Sequence, residues 1–340
     1  MQSIIVISIA KLEFFVDYLL YLRIKISFEN MLNRRILRTK AFKAVYAFAE
    51  NHGMTLKEAE GLLELSCEST RDLYLFLLSI TGPLTAECRA RLEAARGKFN
   101  PTEDELNPNM KFAENSIAPL LMDDPDFARI ISRKKLSWEP YDMLLRHLYE
   151  SIRERKYFRD YLDSEETGPE ADAALWAKIF EREFEDNAEL HDILEEMSIY
   201  WNDDLGYALT WCCKTVRMLG KGGRWKLPPL YQSDMEGHEG FESDRSFIFS
   251  LLRAAYVNFD AFVDKVDALT PKWTRDRICT TDLALIVCGM AEAGLPGAAP
   301  VKVIINEYVE ISKSYSTPES SGFVNGLLDK LINTHQETTN

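Results

Sequence analysis

The chain of 340 residues is short of the features that most function classes need. No stretch approaches the 18 apolar residues of a membrane-spanning helix, so no membrane association is expected. Only 16 Gly and 13 Pro occur, which argues against a turn-dense all-β architecture and a glycine-fingerprint nucleotide fold. The loop LGKGGRWKLPPL (219–230) lacks the G-x-x-x-x-G-K-[ST] phosphate cradle. Six cysteines are present, and none forms the C-x-x-C pair of a zinc or redox site. Scattered in this way they read as free thiols of a reducing, cytoplasmic compartment. His52, His147, His191, His238 and His335 are equally dispersed and form no H-E-x-x-H, so each is expected at the surface or internally satisfied. No catalytic residue, metal, cofactor or small-molecule substrate is therefore expected.

Charge is abundant but uneven. Of the net −14, residues 101–240 carry −13, and residues 160–204 hold 16 acidic residues against Lys178 and Arg182. A global charge of this sign argues against general nucleic-acid binding, although it leaves room for a local basic site.

One such site lies near the start. MLNRRILRTKAFKAVYAF (31–48) contains Arg34, Arg35, Arg38, Lys40 and Lys43 and has no acid before Glu50. It reads as a helix capped by Asn33, with Leu37, Ala41, Ala44, Val45 and Phe48 as its apolar stripe. The arginines cluster on the first turn beside the positive end of the helix dipole. Two readings stand: a phosphate-contacting patch, or a solvated face whose cations pair with distant carboxylates. Residues 1–30 are expected to be an N-terminal extension upstream of a natural start at Met31, or an additional helix packed on the body.

Helical signals run through the rest. Residues 55–80, 86–98, 141–162 and 171–200 are expected as helices, 100–109 as a two-proline linker, and 231–242 as a polar, mobile stretch. A repeat at a register of 72 residues places Trp176, Ile179, Phe184, Leu190, Leu194, Trp201 and Asp204 on Ile248, Leu251, Tyr256, Phe262, Val266, Trp273 and Asp276. Its expected unit is helix, long turn, W-x-x-D cap, helix. In the last stretch, VKVII permits a strand, but NEYVEISKSY continues better as a helix. Thr317 is expected to cap a further helix, with Pro318 first and Glu319 in the first turn. Gly326 inside that helix calls for a close crossing or backbone approach.

NRRILRTKAFKAVYAF, WTRDRICTTDLALI and PVKVIINEYVEISKSYSTPESSGFVNGLLDK together resemble the NusB family of bacterial transcription antitermination factors. The last segment follows the P-x-K-V-x-I-N-E-x-x-E-x-[AS]-K … F-[VI]-N-G-[VL]-L-D pattern of that family nearly throughout. The resemblance covers residues 31–80 and 243–335, with an acidic middle like that of long, Bacteroidetes-type members. It implies an all-α, NusB-like helical bundle with a helical acidic insertion. The expected parts are an extension 1–30, an N-terminal part 31–100, an insertion 101–240, a C-terminal part 241–335 and a tail 336–340. It also implies non-catalytic binding of single-stranded, boxA-type ribosomal RNA leader together with the ribosomal protein NusE, in the elongating RNA polymerase complex.

By resemblance Arg34, Arg35 and Arg38, with Lys40 and Lys43, contact RNA. Phe323 lies beside it, Glu319 lies nearby, and Tyr315, Ser316 and Thr317 are weaker candidates. Asp282 and Glu292 match positions facing NusE. An exposed aromatic suits unstacked bases, whereas the place of Phe323 on an apolar stripe equally fits the core. Two other functions stand beside this one: an interaction module in ribosome assembly built on the acidic middle, and the RNA-binding part of a ribosomal-RNA methyltransferase without its catalytic domain.

Overall fold

A computed structural model describes residues 31–231, 244–271 and 278–338, with side chains to Ile332. The expectations for residues 1–30, for Trp273 and Asp276, and for nearly all of 231–242 lie outside the described residues.

In chain order the helices are α1 (Arg34–Glu50), α2 (Leu56–Ser79), α3 (Thr81–Arg96), α4 (Glu103–Leu106), α5 (Ile117–Met122), α6 (Pro125–Lys134), α7 (Asp142–Glu154) and α8 (Lys156–Asp163). There follow α9 (Pro169–Arg182), α10 (Ala188–Met197), α11 (Leu205–Gly220), α12 (Asp244–Val257), α13 (Phe259–Leu269), α14 (Thr280–Ala293), α15 (Val301–Tyr315) and α16 (Ser320–Thr338). No strand occurs among the described residues, so the fold is all-α. VKVII opens α15 as a helix, in line with the continuation that its sequence favours. No single helix among the described residues is long and apolar enough to cross a membrane.

The chain divides into two compact units, one of residues up to Cys67 together with Pro229 onward, the other of Glu68–Pro228. The division falls inside α2, so residues 68–100 belong to the second unit, where the sequence suggests a boundary near 100.

In the first unit, α1 lies against α12 and α14, and α14 also meets α15 and α16. Its entry is fixed by backbone bonds from Met31 N to Pro229 O (2.9 Å) and Leu32 N to Leu230 O (3.2 Å). Asn33 caps the helix as expected, its side chain accepting from the amides of Arg35 and Ile36. Leu37, Ala41, Ala44 and Val45 are buried, and Phe48 is half-buried. Full burial of a Leu or Val side chain contributes about 1.5–3 kcal/mol each, which fastens α1 to the core.

The second unit is built around aromatic rings. Trp138 stacks on Phe76 at 4.0 Å and donates its indole N–H to the Phe76 carbonyl. The expected linker 100–109 contains α4, set by a Thr102–Glu105 capping box. The 72-residue register matches α9, α10 and α11 to α12, α13 and α14. Trp176 and Ile248, Ile179 and Leu251, and Leu194 and Val266 are buried in both copies. The expected long turn is a helix in both, because Leu190/Leu194 and Val263/Val266 recur at helical spacing. Asp204 occupies the N-cap of α11 but makes no capping side-chain bond there; Thr70 donates to its carboxylate at 2.5 Å.

Two glycines separate expectation from geometry. A Cβ at Gly326 meets nothing within 4 Å, so no close crossing explains that residue. The crowded glycine is Gly289 on α14, where a Cβ falls 2.7 Å from Leu328 Cδ2 and 3.3 Å from Tyr308. Gly326→Ala is expected to raise stability by up to about 1 kcal/mol, and Gly289→Ala to lower it, in chemical denaturation.

Candidate nucleic-acid interface

A helix N-terminus carries partial positive charge and favours acids, yet the first turn of α1 holds two arginines and no acid. The compensation comes from carboxylates of three other helices. Arg34 Nε donates to Asp244 Oδ1 of α12 at 2.9 Å, with its guanidinium 4.1 Å from the centre of the Phe247 ring. Arg35 forks onto Glu307 of α15, Nε to Oε2 at 2.9 Å and Nη2 to Oε1 at 2.8 Å. Arg38 forks onto Glu292 of α14, with Nη2 2.6 Å from Oε1 and Nε 2.8 Å from Oε2. The Tyr308 hydroxyl donates to the same Glu292 carboxylate at 2.9 Å.

Burial divides these arginines. The side chains of Arg34 and Arg35 remain 42% and 47% exposed, whereas Arg38 and Glu292 retain 7% and 1%. Burial works against the charged guanidinium of Arg38. The Glu292 hydrogen bond and charge, with Tyr308 and Glu307, outweigh it and leave the Arg38 pKa above its ordinary value. Burial also pushes the Tyr308 phenol far up, so it stays a hydrogen-bond donor.

Four candidates expected at a surface are therefore interior. Arg38 shares a helical stripe with Ala41 and Val45, and Lys40 shares one with Leu37 and Ala44, which carries both inward. Lys40 Nζ donates to the Ser66 carbonyl at 2.8 Å and lies 3.3 Å from the Ser66 hydroxyl. Glu292 belongs to a helix buried on nearly all sides from Ala284 onward. Asp282 is buried and accepts from the Ser316 hydroxyl (2.6 Å) and the Ser320 hydroxyl (2.7 Å), tying the α15–α16 turn to α14.

The remaining candidates gather along α1 and the α15–α16 turn. Lys43 is half-buried, its Nζ 5.3 Å from the Tyr315 ring centre, and Tyr315 packs on Phe42 at 5.5 Å. Thr317 and Glu319 are exposed and Phe323 is half-buried. Helix α16 begins at Ser320, two residues after the expected Pro318, and Thr317 Oγ lies 3.0 Å from Ser320 Oγ. Tyr46, 37% exposed, extends the aromatic edge through Phe42 at 6.4 Å. Its place in the motif AVYAF was the one sequence signal for it.

The framework residues that sequence reasoning missed are Asp244, Phe247, Ser66 and Glu307. Of these only Glu307 lay in a quoted motif, as the acid of I-N-E-Y. No group of His, Cys, Asp and Glu suited to a metal ion occurs among the described residues. His52 packs edge-on against Phe48 and Phe259, and the ring nitrogens of His147 and His191 bond to Glu189 and the Glu185 carbonyl. Five cysteines are buried, and Cys279 is exposed.

The Arg35 hydrogen bond holds the Glu307 carboxyl below its ordinary 4.5, with the charges of Arg35 and Arg38 adding to it and burial opposing. A lowered carboxylate pKa gives stability that is complete above the ordinary value and lost as pH falls through the folded one. Glu307→Gln is therefore expected to reduce stability at pH 7 and to flatten the loss between about pH 5 and pH 2, in denaturant titrations across that range.

The sequence of the NusB family matches residues 230–333, inside the first unit. Three curated relatives are each named transcription antitermination protein NusB. That of Methylacidiphilum infernorum is 33% identical over 108 residues, covering 32% of this chain and 68% of the relative. That of Caulobacter vibrioides is 35% identical over 103 residues, covering 30% and 68%. That of Syntrophotalea carbinolica is 38% identical over 95 residues, covering 27% and 60%. No solved structure matches the chain. With an all-α first unit that carries the P-V-K-V-I-I-N-E and F-V-N-G-L-L-D segments on adjacent helices, and relatives matched over two thirds of their length, this chain belongs to the NusB family.

Proposed function

We propose that this chain is a non-catalytic, RNA-binding transcription antitermination factor of the cytoplasm. It engages a single-stranded, boxA-type leader of ribosomal RNA with NusE and joins the elongating RNA polymerase. The observation that carries this reading is the half-exposed pair Arg34 and Arg35 at the N-terminus of α1, within a chain of the family. Guanidinium groups beside a helix N-terminus are suited to a phosphate chain. Lys43 adds a third cation, and Tyr315, Tyr46 and Phe323 border the same helix and turn with rings on which unstacked bases can lie.

In this reading Arg38, Lys40, Asp282 and Glu292 hold the surface in shape, while Arg34 and Arg35 meet the RNA. Phosphate then competes with Asp244 and Glu307 for those two arginines, which favours exchange at partly exposed pairs over any capture of Arg38. The acidic stretch 160–204 repels RNA from its own surface, which restricts the polyanion to the first unit's basic edge.

Mobility-shift titrations with a boxA-containing RNA, with and without NusE, test this function. Arg34→Ala/Arg35→Ala is expected to weaken binding and to lower the slope of log affinity against log salt by about 1.4, or ~0.7 per lost phosphate contact on a single strand. An unchanged affinity and slope would remove both residues from the interface.

A further inference from the structure

The second unit carries a cationic cleft that the antitermination reading does not use. It is bounded by Arg155, Lys156 and Tyr157, where α7 gives way to α8, and by Arg182 and Glu183 at the end of α9, and it encloses about 300 Å³. Its floor is Glu183, whose side chain is 2% exposed. Arg155 donates to this carboxylate through Nε (2.9 and 3.1 Å) and Nη2 (3.0 Å), Tyr157 through its hydroxyl (3.0 Å) and Ser151 through its hydroxyl (3.2 Å). A buried carboxylate satisfied in this way acts as an anchor that fixes Arg155 and Tyr157 at the wall.

The cations around that anchor exceed what one carboxylate needs. Arg155 leaves Nη1 without a bond among the described residues. Arg182 forms no ion pair among them; its guanidinium lies 5.9 Å from the centre of the Tyr157 ring. That is notable inside a stretch, 160–204, with 16 acidic residues and two basic ones, where an arginine has many carboxylates to choose from. Lys156 is bound only by Asp160, in an i,i+4 pair whose side chains are 83% and 59% exposed. Such a pair exchanges at little cost. Three cations against one buried carboxylate leave a formal surplus of two positive charges, and two of the three are planar guanidinium groups suited to forked contact with phosphate oxygens. The volume lies at the small end of ligand pockets, which fits a compact dianion rather than a large organic molecule.

We infer that the cleft formed by Arg155, Lys156 and Arg182 around Glu183 is a phosphoryl-binding site. It takes a phosphate dianion through the guanidinium of Arg182, the spare edge of Arg155 and the ammonium of Lys156. The phosphoryl group belongs either to a small phosphorylated ligand or to an RNA backbone, and the two sources share this recognition chemistry.

Calorimetric titration of the full-length chain with sodium pyrophosphate at low ionic strength tests the site, with Lys156→Ala/Arg182→Ala as the variant. Both side chains are exposed and lie outside the Glu183 network, so the variant is expected to unfold at the same temperature as the parent. The parent is expected to bind saturably, and the variant to lose about tenfold or more in affinity, the effect of one charge-assisted hydrogen bond or more. No saturable binding by the parent, or equal binding by parent and variant, overturns the proposal. A parallel titration with single-stranded RNA separates the sources. Weakened RNA binding by the variant assigns the phosphoryl group to RNA, whereas unchanged RNA binding with lost pyrophosphate binding assigns it to a small ligand.

Discussion

A buried arginine–glutamate fork sets the terms for the first unit. Arg38 and Glu292 are almost wholly removed from water, and three atoms of the fork lie within 2.8 Å of their partners or closer. Removing two charges from water is costly, and only good geometry with full hydrogen bonding compensates. Tyr308 supplies the remaining donor, and because its phenol stays protonated it keeps donating at any physiological pH. The result ties α1, α14 and α15 at one point. A helix that opens on arginines rather than acids needs such a tie, since its own dipole opposes the charge it carries.

From that point outward the arginines form a gradient of access. Arg38 is locked inside, Arg35 forks onto a carboxylate that is itself partly exposed, and Arg34 rests on Phe247 with its partner Asp244 buried. Charge is balanced across these three pairs, so the edge is not a bare basic patch. It is a set of pre-positioned guanidinium groups whose exposed members can trade a carboxylate for a phosphate. Preorganisation of this kind lowers the entropy lost on binding and makes affinity depend on salt.

Much of the architecture could be read from the residues. Asn33 as cap and the Leu37–Ala41–Ala44–Val45 stripe are local signals, fixed by helical period and backbone bonding within four residues. The helical state of VKVII also followed from its continuation in NEYVEISKSY. What escaped depends on partners far along the chain. Arg38 looks like one more cation until Glu292, 254 positions later, is placed against it. The i, i+3 relation to Ala41 was a signal that it faces inward, but a positive charge there makes sense only once its counter-ion is known. Asp282 and Glu292 look solvated for the same reason. The Gly326 expectation failed because a glycine in a helix invites a packing explanation, and the crowding that demands a glycine lies instead at Gly289. The second unit is a helical body with its own aromatic core, and its register with α12–α14 shows how one helical pattern, used twice, can bury unlike residues such as Trp176 and Ile248 at equivalent places.

The central claim is that Arg38 and Glu292 form one unit of structure rather than two separate surface groups. A double-mutant cycle of Arg38→Met, Glu292→Met and the pair, followed by denaturant unfolding at pH 7, tests it most directly. Each single change is expected to cost about 3–5 kcal/mol by stranding a buried charge, and the double change to cost less than either, because no charge is left unpaired. Single costs below about 0.5 kcal/mol that simply add in the double variant would contradict the account.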